Sequence, residues 1–230
     1  MRILFAGTPD IAVPSLERLA RSFEVVAVLT SPDKKKGRGK KLAFSPVKEK
    51  ALELGLPVLQ PARLRREARE EIAPYGADLL AVYAYGRIFG PKFLSLFPEG
   101  AINVHPSLLP KYRGGSPIVA PILNGDSTTG VVVQTIGEIV DAGDILGRKE
   151  VSLTGAETAE ELSFTMAAEG AGLLAEVVGD YRSRRDNAEK QNERDVVATR
   201  KIGKSDGKIN WDLPASMIER MVRAFLPWPK

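Results

Sequence analysis

Arg2-Ile3-Leu4-Phe5-Ala6-Gly7-Thr8-Pro9 opens the chain, and its reading sets the fold. The apolar run over 2–6 predicts a short buried strand, and the Gly7-Thr8-Pro9 turn leads into a helix carrying Leu16, Leu19 and Ala20 at helical spacing. A valine-rich run over 23–30 follows, as a strand buried on both faces would read. Strand, glycine turn, helix, strand is the opening of a nucleotide-binding type of α/β fold. Only Gly7 stands at the first turn, so the Gly-x-Gly-x-x-Gly fingerprint of a dinucleotide site is missing.

Further along, Ser45-Pro46 predicts a capped helix start and Gly55 its stop. A short strand is expected around Val58, a charged helix over 64–75, a buried strand over 78–83 and a helix from Pro91. Strands over 101–104, 129–136 and 145–151 and a helix over 116–124 complete the apolar pattern. Thr158-x-x-Glu161 supplies a capping box for an amphipathic helix reaching about Gly179. From 180 to 208 both signs of charge interleave and large apolar residues are scarce, which predicts a linker across the surface. Ile209-Asn210-Trp211 and an amphipathic helix over 215–225, with Met217, Ile218, Met221, Val222 and Phe225 on one face, start something new. That face has little chain left to pack on, so it implies either a truncated protein or docking back onto the first domain.

Of 230 residues, 43% are hydrophobic and 27% charged, the balance of an ordinary globular chain. The net charge of +4 permits an anionic partner without demanding one. The start is too short for a signal h-region. No window approaches the roughly 20 apolar residues that cross a bilayer, and the absence of cysteine fits a reducing compartment, so the expected location is the cytoplasm, with no membrane partner.

The candidate chemistry lies in Asn103-Val104-His105-Pro106-Ser107-Leu108-Leu109-Pro110-Lys111-Tyr112-Arg113-Gly114-Gly115. His105 is the only histidine, at a strand's carboxyl end where prolines forbid continuation. Asn103, two residues earlier, points to the same face, and an amide beside an imidazole suits a developing oxyanion. Zero cysteines and one histidine exclude the common thiolate and multi-histidine metal sites. Asp141 and Asp144 are both candidates to orient His105 and raise its pKa, and spacing selects neither. The loop Ala84-Tyr85-Gly86-Arg87-Ile88 suits a pocket for a flat heterocycle, although a packed loop has the same composition. Ser31-Pro32-Asp33-Lys34-Lys35-Lys36-Gly37-Arg38-Gly39-Lys40-Lys41 predicts a mobile basic loop, poor as helix or strand. Such runs are usually solvated, but phosphate backbones are their natural counterpart.

With these residues in place, the 103–114 stretch resembles the signature of folate-dependent formyltransferases, in which an asparagine, a histidine and a later aspartate form the catalytic set. The resemblance selects Asp141, within Val140-Asp141-Ala142-Gly143, to stand with Asn103 and His105. It implies a Rossmann-like, mostly parallel domain over 1–180 that binds 10-formyltetrahydrofolate as co-substrate without a metal. The pterin is expected near Gly86, Arg87 and Ile88, with Ser107, Leu108, Leu109 and Pro110 lining the folate site. Protonated His105 is expected to hold the oxyanion with Asn103, Asp141 keeping it charged. Phe5-Ala6-Gly7-Thr8-Pro9-Asp10, the basic loop and Ile209-Asn210-Trp211 through Pro227-Trp228-Pro229 resemble the members that formylate initiator methionyl-tRNA in translation initiation. Arg38, Lys40 and Lys41 are then expected to contact the tRNA. In those members a basic β-barrel follows the linker, expected here at 181–208, and the chain stops after the first helix, over 209–230. A monomer is expected. The alternatives are a formyltransferase acting on an amino sugar nucleotide, the hydrolase module of a folate dehydrogenase, or a catalytically idle nucleic-acid-binding module.

Overall fold

The runs of apolar residues become strands, and the capped segments between them become helices. The structure, a computed structural model, describes residues 1–36 and 41–229. In chain order it contains β1 (Arg2–Gly7), α1 (Val13–Ser22), β2 (Glu24–Leu29), β3 (Lys34–Lys36), β4 (Lys41–Ala43), α2 (Pro46–Glu53), β5 (Val58–Leu59) and α3 (Arg66–Ile72). β6 (Leu79–Tyr83), α4 (Pro91–Leu94), β7 (Gly100–His105), β8 (Lys111–Gly114), α5 (Val119–Asn124), β9 (Thr128–Thr135) and β10 (Ile145–Ser152) follow. α6 (Ala159–Gly179), α7 (Tyr181–Asp186), β11 (Val197–Thr199) and α8 (Ala215–Ala224) end it.

Seven strands form one sheet in the order β10-β9-β7-β6-β1-β2-β5. β5, β2, β1, β6 and β7 are parallel to their neighbours, whereas β9 runs antiparallel to β7 and β10 antiparallel to β9. Chain order runs one way from β1 through β2 to β5 and the other way from β6 through β7 to β9. The strands' carboxyl ends therefore part at β1 and β6, the position where open α/β sheets bind ligands.

Alternate residues of the strands feed two cores. Phe5, Tyr83, Ile102, Val104, Val131 and Val133 pack with Leu16, Leu19, Met166 and Leu174 of α1 and α6. Leu4, Leu80, Val82 and Ala101 face the other way, against Ile72 and Phe93 of α3 and α4. Both predicted caps form. The Ser45 hydroxyl accepts the Lys48 N–H, and Thr158 and Glu161 make a reciprocal capping box, a device that stabilises a helix by about 1 kcal/mol.

Three expectations can be set against the structure. First, the described parts of the expected basic loop are not structureless: β3 and β4 pair antiparallel, Lys34 opposite Ala43. The hairpin's feet are already held together, because Thr30 and Ser45 share a 2.8 Å hydrogen bond and Lys48 bonds Asp33 at 2.6 Å. Pairing the arms then adds little closure cost. Second, the segment expected as a surface linker, 181–208, is held at several points. Tyr181 is buried with its hydroxyl donating to the Glu99 carbonyl at 2.6 Å, and β11 pairs in parallel with β8. Third, α6 is long and apolar enough by composition to cross a membrane, with a mean hydropathy of 1.2 over its best window. Leu162, Met166, Leu173, Leu174, Val177 and Val178 instead pack into the core with the sheet and α1, while Phe164 stands exposed. α8 docks back on the first domain through Ala224 and Phe225, which join the core beside Ile122 of α5.

Candidate active site

Asn103 and His105 project from the face of β7 opposite α6, since Ile102 and Val104 take the other face. The register sets Gln134 of β9 directly across from Asn103. Pro106 ends the strand, and residues 106–115 fold over this face, with Ser107 donating its backbone N–H to the His105 carbonyl and its hydroxyl to the Lys111 carbonyl. The loop from 137 to 144 covers it from the other side and delivers Asp141, held at φ 56°.

His105 and Asp141 meet. Nδ1 lies 3.5 Å from Asp141 Oδ1, and Nε2 donates to the Tyr112 carbonyl at 3.0 Å. Asp141 is fixed on three sides. Its Oδ2 accepts the Gly114 N–H at 2.9 Å, its Oδ1 accepts Gln134 Nε2 at 3.2 Å, and its carbonyl accepts Gln191 Nε2 at 3.0 Å. Gly143 lets this loop lie flat on β9, since a Cβ there would stand 1.7 Å from the Thr135 carbonyl oxygen. Asp144 does not reach the imidazole. It is tied to Thr135 through its backbone, N–H to hydroxyl at 2.9 Å. Asn103 is half-buried, and no hydrogen bond engages its side-chain amide among the described residues.

The electrostatics differ from the sequence expectation. Burial pushes the His105 pKa below the ordinary 6.5, and the Asp141 carboxylate and Tyr112 carbonyl raise it without reversing the sign. At neutral pH the imidazole is therefore neutral, with its proton on Nε2 toward the carbonyl. The Nδ1 lone pair then stands off from the carboxylate, in keeping with a separation too long for a good hydrogen bond. Asp141 stabilises an imidazolium only once one forms.

The other sequence candidates fall into distinct settings. The loop after β6 stands on a row of rings, Tyr85, Phe89, Phe93 and Phe97, whose adjacent centroids are 5.2–5.9 Å apart, the first pair stacked and the others tilted. It exposes Gly86 and Ile88, while Arg87 donates to the Pro61 carbonyl at 2.7 Å. Ser107 and Leu109 face inward, Leu109 packing with Val132 and Ile145, whereas Leu108 and Pro110 are half-buried. Arg38 and Lys40 lie outside the described residues, and Lys41 is placed as the first residue of β4. Sequence reasoning missed Gln134 and Gln191, and also Ile139 and Val140, which stand exposed beside Asp141. A lone glutamine ending Val131-Val132-Val133 was a legible signal. Gln191, in a charged stretch, carried none. A cavity of about 260 Å³ between α5, α8 and the 153–157 turn lies elsewhere, and its walls include Glu219 and Arg223, already paired with each other.

Comparison with known proteins adds to this geometry. The formyl transferase family matches residues 1–178, and the formyl transferase C-terminal domain matches residues 201–230. The methionyl-tRNA formyltransferase of Treponema denticola is 44% identical over the whole chain, which spans 74% of that protein. That of Methylococcus capsulatus is 43% identical, with 75% of it spanned. Among solved structures, an N-formyltransferase from Helicobacter canadensis in complex with folinic acid and dTDP-3-aminofucose superposes with a TM-score of 0.71. It is 24% identical, over 97% of this chain and 80% of its own.

Proposed function

The chain belongs to the formyl transferase family, and from that membership we propose a reaction: it transfers the formyl group of 10-formyltetrahydrofolate to the α-amine of methionine on initiator methionyl-tRNA, using Asn103, His105 and Asp141. The observation that carries the residue assignment is the buried His105–Asp141 pair, 3.5 Å apart, on the sheet face that bears a free Asn103 amide. Folate-dependent structural neighbours share the fold.

The amine adds to the formyl carbon, and the electron pair of the C=O bond moves onto oxygen, which accepts from the Asn103 amide. The proton lost by the amine goes to His105 Nδ1, and the nearby carboxylate stabilises the imidazolium. The carbon–nitrogen bond to the folate then breaks, and the imidazolium returns that proton to the departing nitrogen. Atoms and charge balance within this cycle.

The pterin lies against the loop bearing Gly86, Arg87 and Ile88, facing exposed Ile139 and Val140, with Leu108 and Pro110 at its margin. Ser107 and Leu109 shape that wall from behind. Arg38, Lys40 and Lys41 contact tRNA phosphates, so binding weakens as salt rises. The transferase domain spans 1–180, 181–208 links it onward, and 209–230 begins the C-terminal domain, a division supported by the matched segments. The enzyme works as a cytoplasmic monomer. To test the reading, the protein is given 10-formyltetrahydrofolate with either charged initiator tRNA or a dTDP-amino sugar. Formyl-methionine on tRNA, with an apparent KM that rises with salt, is expected. Formylation of the sugar alone, or of neither acceptor, would overturn it.

A further inference from the structure

Gln191 lies outside the transferase sheet, between α7 and β11, yet its side chain ends in the catalytic loop. Its two Nε2 hydrogens are shared among three acceptors, the Gly143 carbonyl at 2.7 Å, the Asp141 carbonyl at 3.0 Å and Gln134 Oε1 at 3.1 Å. Its Oε1 accepts from Arg113 Nε at 2.9 Å, and the Arg113 guanidinium is clamped by both carboxylate oxygens of Glu193 at 2.8 and 3.1 Å. The effect on Gln134 follows from its own valences. Its Oε1 accepts two N–H groups, from Gln191 and from the Gly143 backbone at 3.1 Å, so its amide has one satisfied orientation. In that orientation Nε2 must face Asp141 Oδ1, where it lies at 3.2 Å.

The same segment acts on the imidazole side. β11 pairs with β8, and β8 supplies both the Tyr112 carbonyl that holds His105 Nε2 and the Gly114 N–H that holds Asp141 Oδ2. Contact there is close enough that a Cβ on Gly114, at φ 109°, would stand 2.3 Å from the Thr199 carbonyl oxygen.

We propose that Gln191 is a positioning residue for the proton-transfer pair: it fixes the backbone of Asp141 directly and its carboxylate through Gln134, so that Oδ1 stays facing His105. The strap formed by residues 191–199 is thereby part of the active site without touching substrate. The proposal rests on the formyl-transfer reading, and its test has one arm that does not depend on activity.

Gln191→Met keeps the side chain's length and removes its hydrogen bonds. In the full chain we expect kcat to fall roughly tenfold to a hundredfold, as small misplacements of catalytic groups do, with KM for the formyl donor and for tRNA within about twofold of the parent. The single histidine makes its ring titration directly readable by NMR. With Asp141 released, the midpoint should move to lower pH by roughly half a unit or more, because the group that raises it has turned away. Glu193→Gln, at an exposed clamp, should shift both readouts in the same direction by less and serves where Gln191→Met fails to fold. An unmoved titration, or a kcat loss matched by an equal rise in KM, would overturn the positioning role. Absence of formyl transfer in the parent would instead sink the functional reading, while the titration arm still reports on Gln191.

Discussion

The two faces of β7 obey opposite rules. Ile102 and Val104 sink into an apolar core under α6, where shape and volume decide, whereas Asn103 and His105 face polar groups whose directions are set one hydrogen bond at a time. One strand thus carries the apolar core on one side and the proposed chemistry on the other. Substitutions on its two faces should separate the two properties, with successive residues about 3.3 Å apart along the strand behaving differently.

The sharpest break in that contrast would come from Asn103→Ala. Loss of an oxyanion donor typically costs about 2.7–4 kcal/mol in the barrier, a factor of roughly 10² to 10³ in kcat. Single-turnover formyl transfer checks this, while the urea midpoint should stay near the parent's. A rate within threefold of the parent would remove Asn103 from the mechanism.

Next in size is the pH response of the polar face. The folded-state pKa of His105 is depressed, so the unfolded chain takes up a proton that the native state resists. Unfolding free energy should therefore fall as pH drops below about 6.5, the ordinary value for the unfolded ring. Denaturation of the parent and of His105→Asn at several pH values should show this component of the slope in the parent alone. The acid limb of kcat belongs below the same value.

The smallest effect lies on the apolar face. Ile102→Val should lower unfolding free energy by about 0.5–1.5 kcal/mol and leave kcat unchanged. A kcat loss there beyond the stability effect would mean that the two faces are coupled through the backbone.

How much of this was legible in the sequence depends on where each signal resided. β1, β2, β6, β7 and β9 are runs of buried apolar residues, and the helix starts at Ser45 and Thr158 carry their caps beside them, so local pattern was enough. Asn103 and His105 announced themselves by standing at alternate positions of an apolar strand. β8 and β11 did not, because Lys111-Tyr112-Arg113-Gly114 and Val197-Ala198-Thr199 become strands only by pairing with each other across a long stretch of chain. The ordering of 181–208 was hidden for the same reason. Its anchors, Tyr181, Gln191 and Glu193, are single side chains whose partners are remote in sequence. Spacing left Asp141 and Asp144 both open; the resemblance chose Asp141, and the structure sets that carboxylate 3.5 Å from the imidazole.

The strap also sets an order of assembly. Synthesis runs from the amino end toward the carboxyl end, so the sheet's strands, His105 and Asp141 all leave the ribosome before Gln191 and β11 do. A nascent chain that has already folded its α/β core still lacks the rear wall of its reaction centre. If Gln191 positions the pair as proposed, competence for formyl transfer arrives only with the segment that leads toward the C-terminal domain.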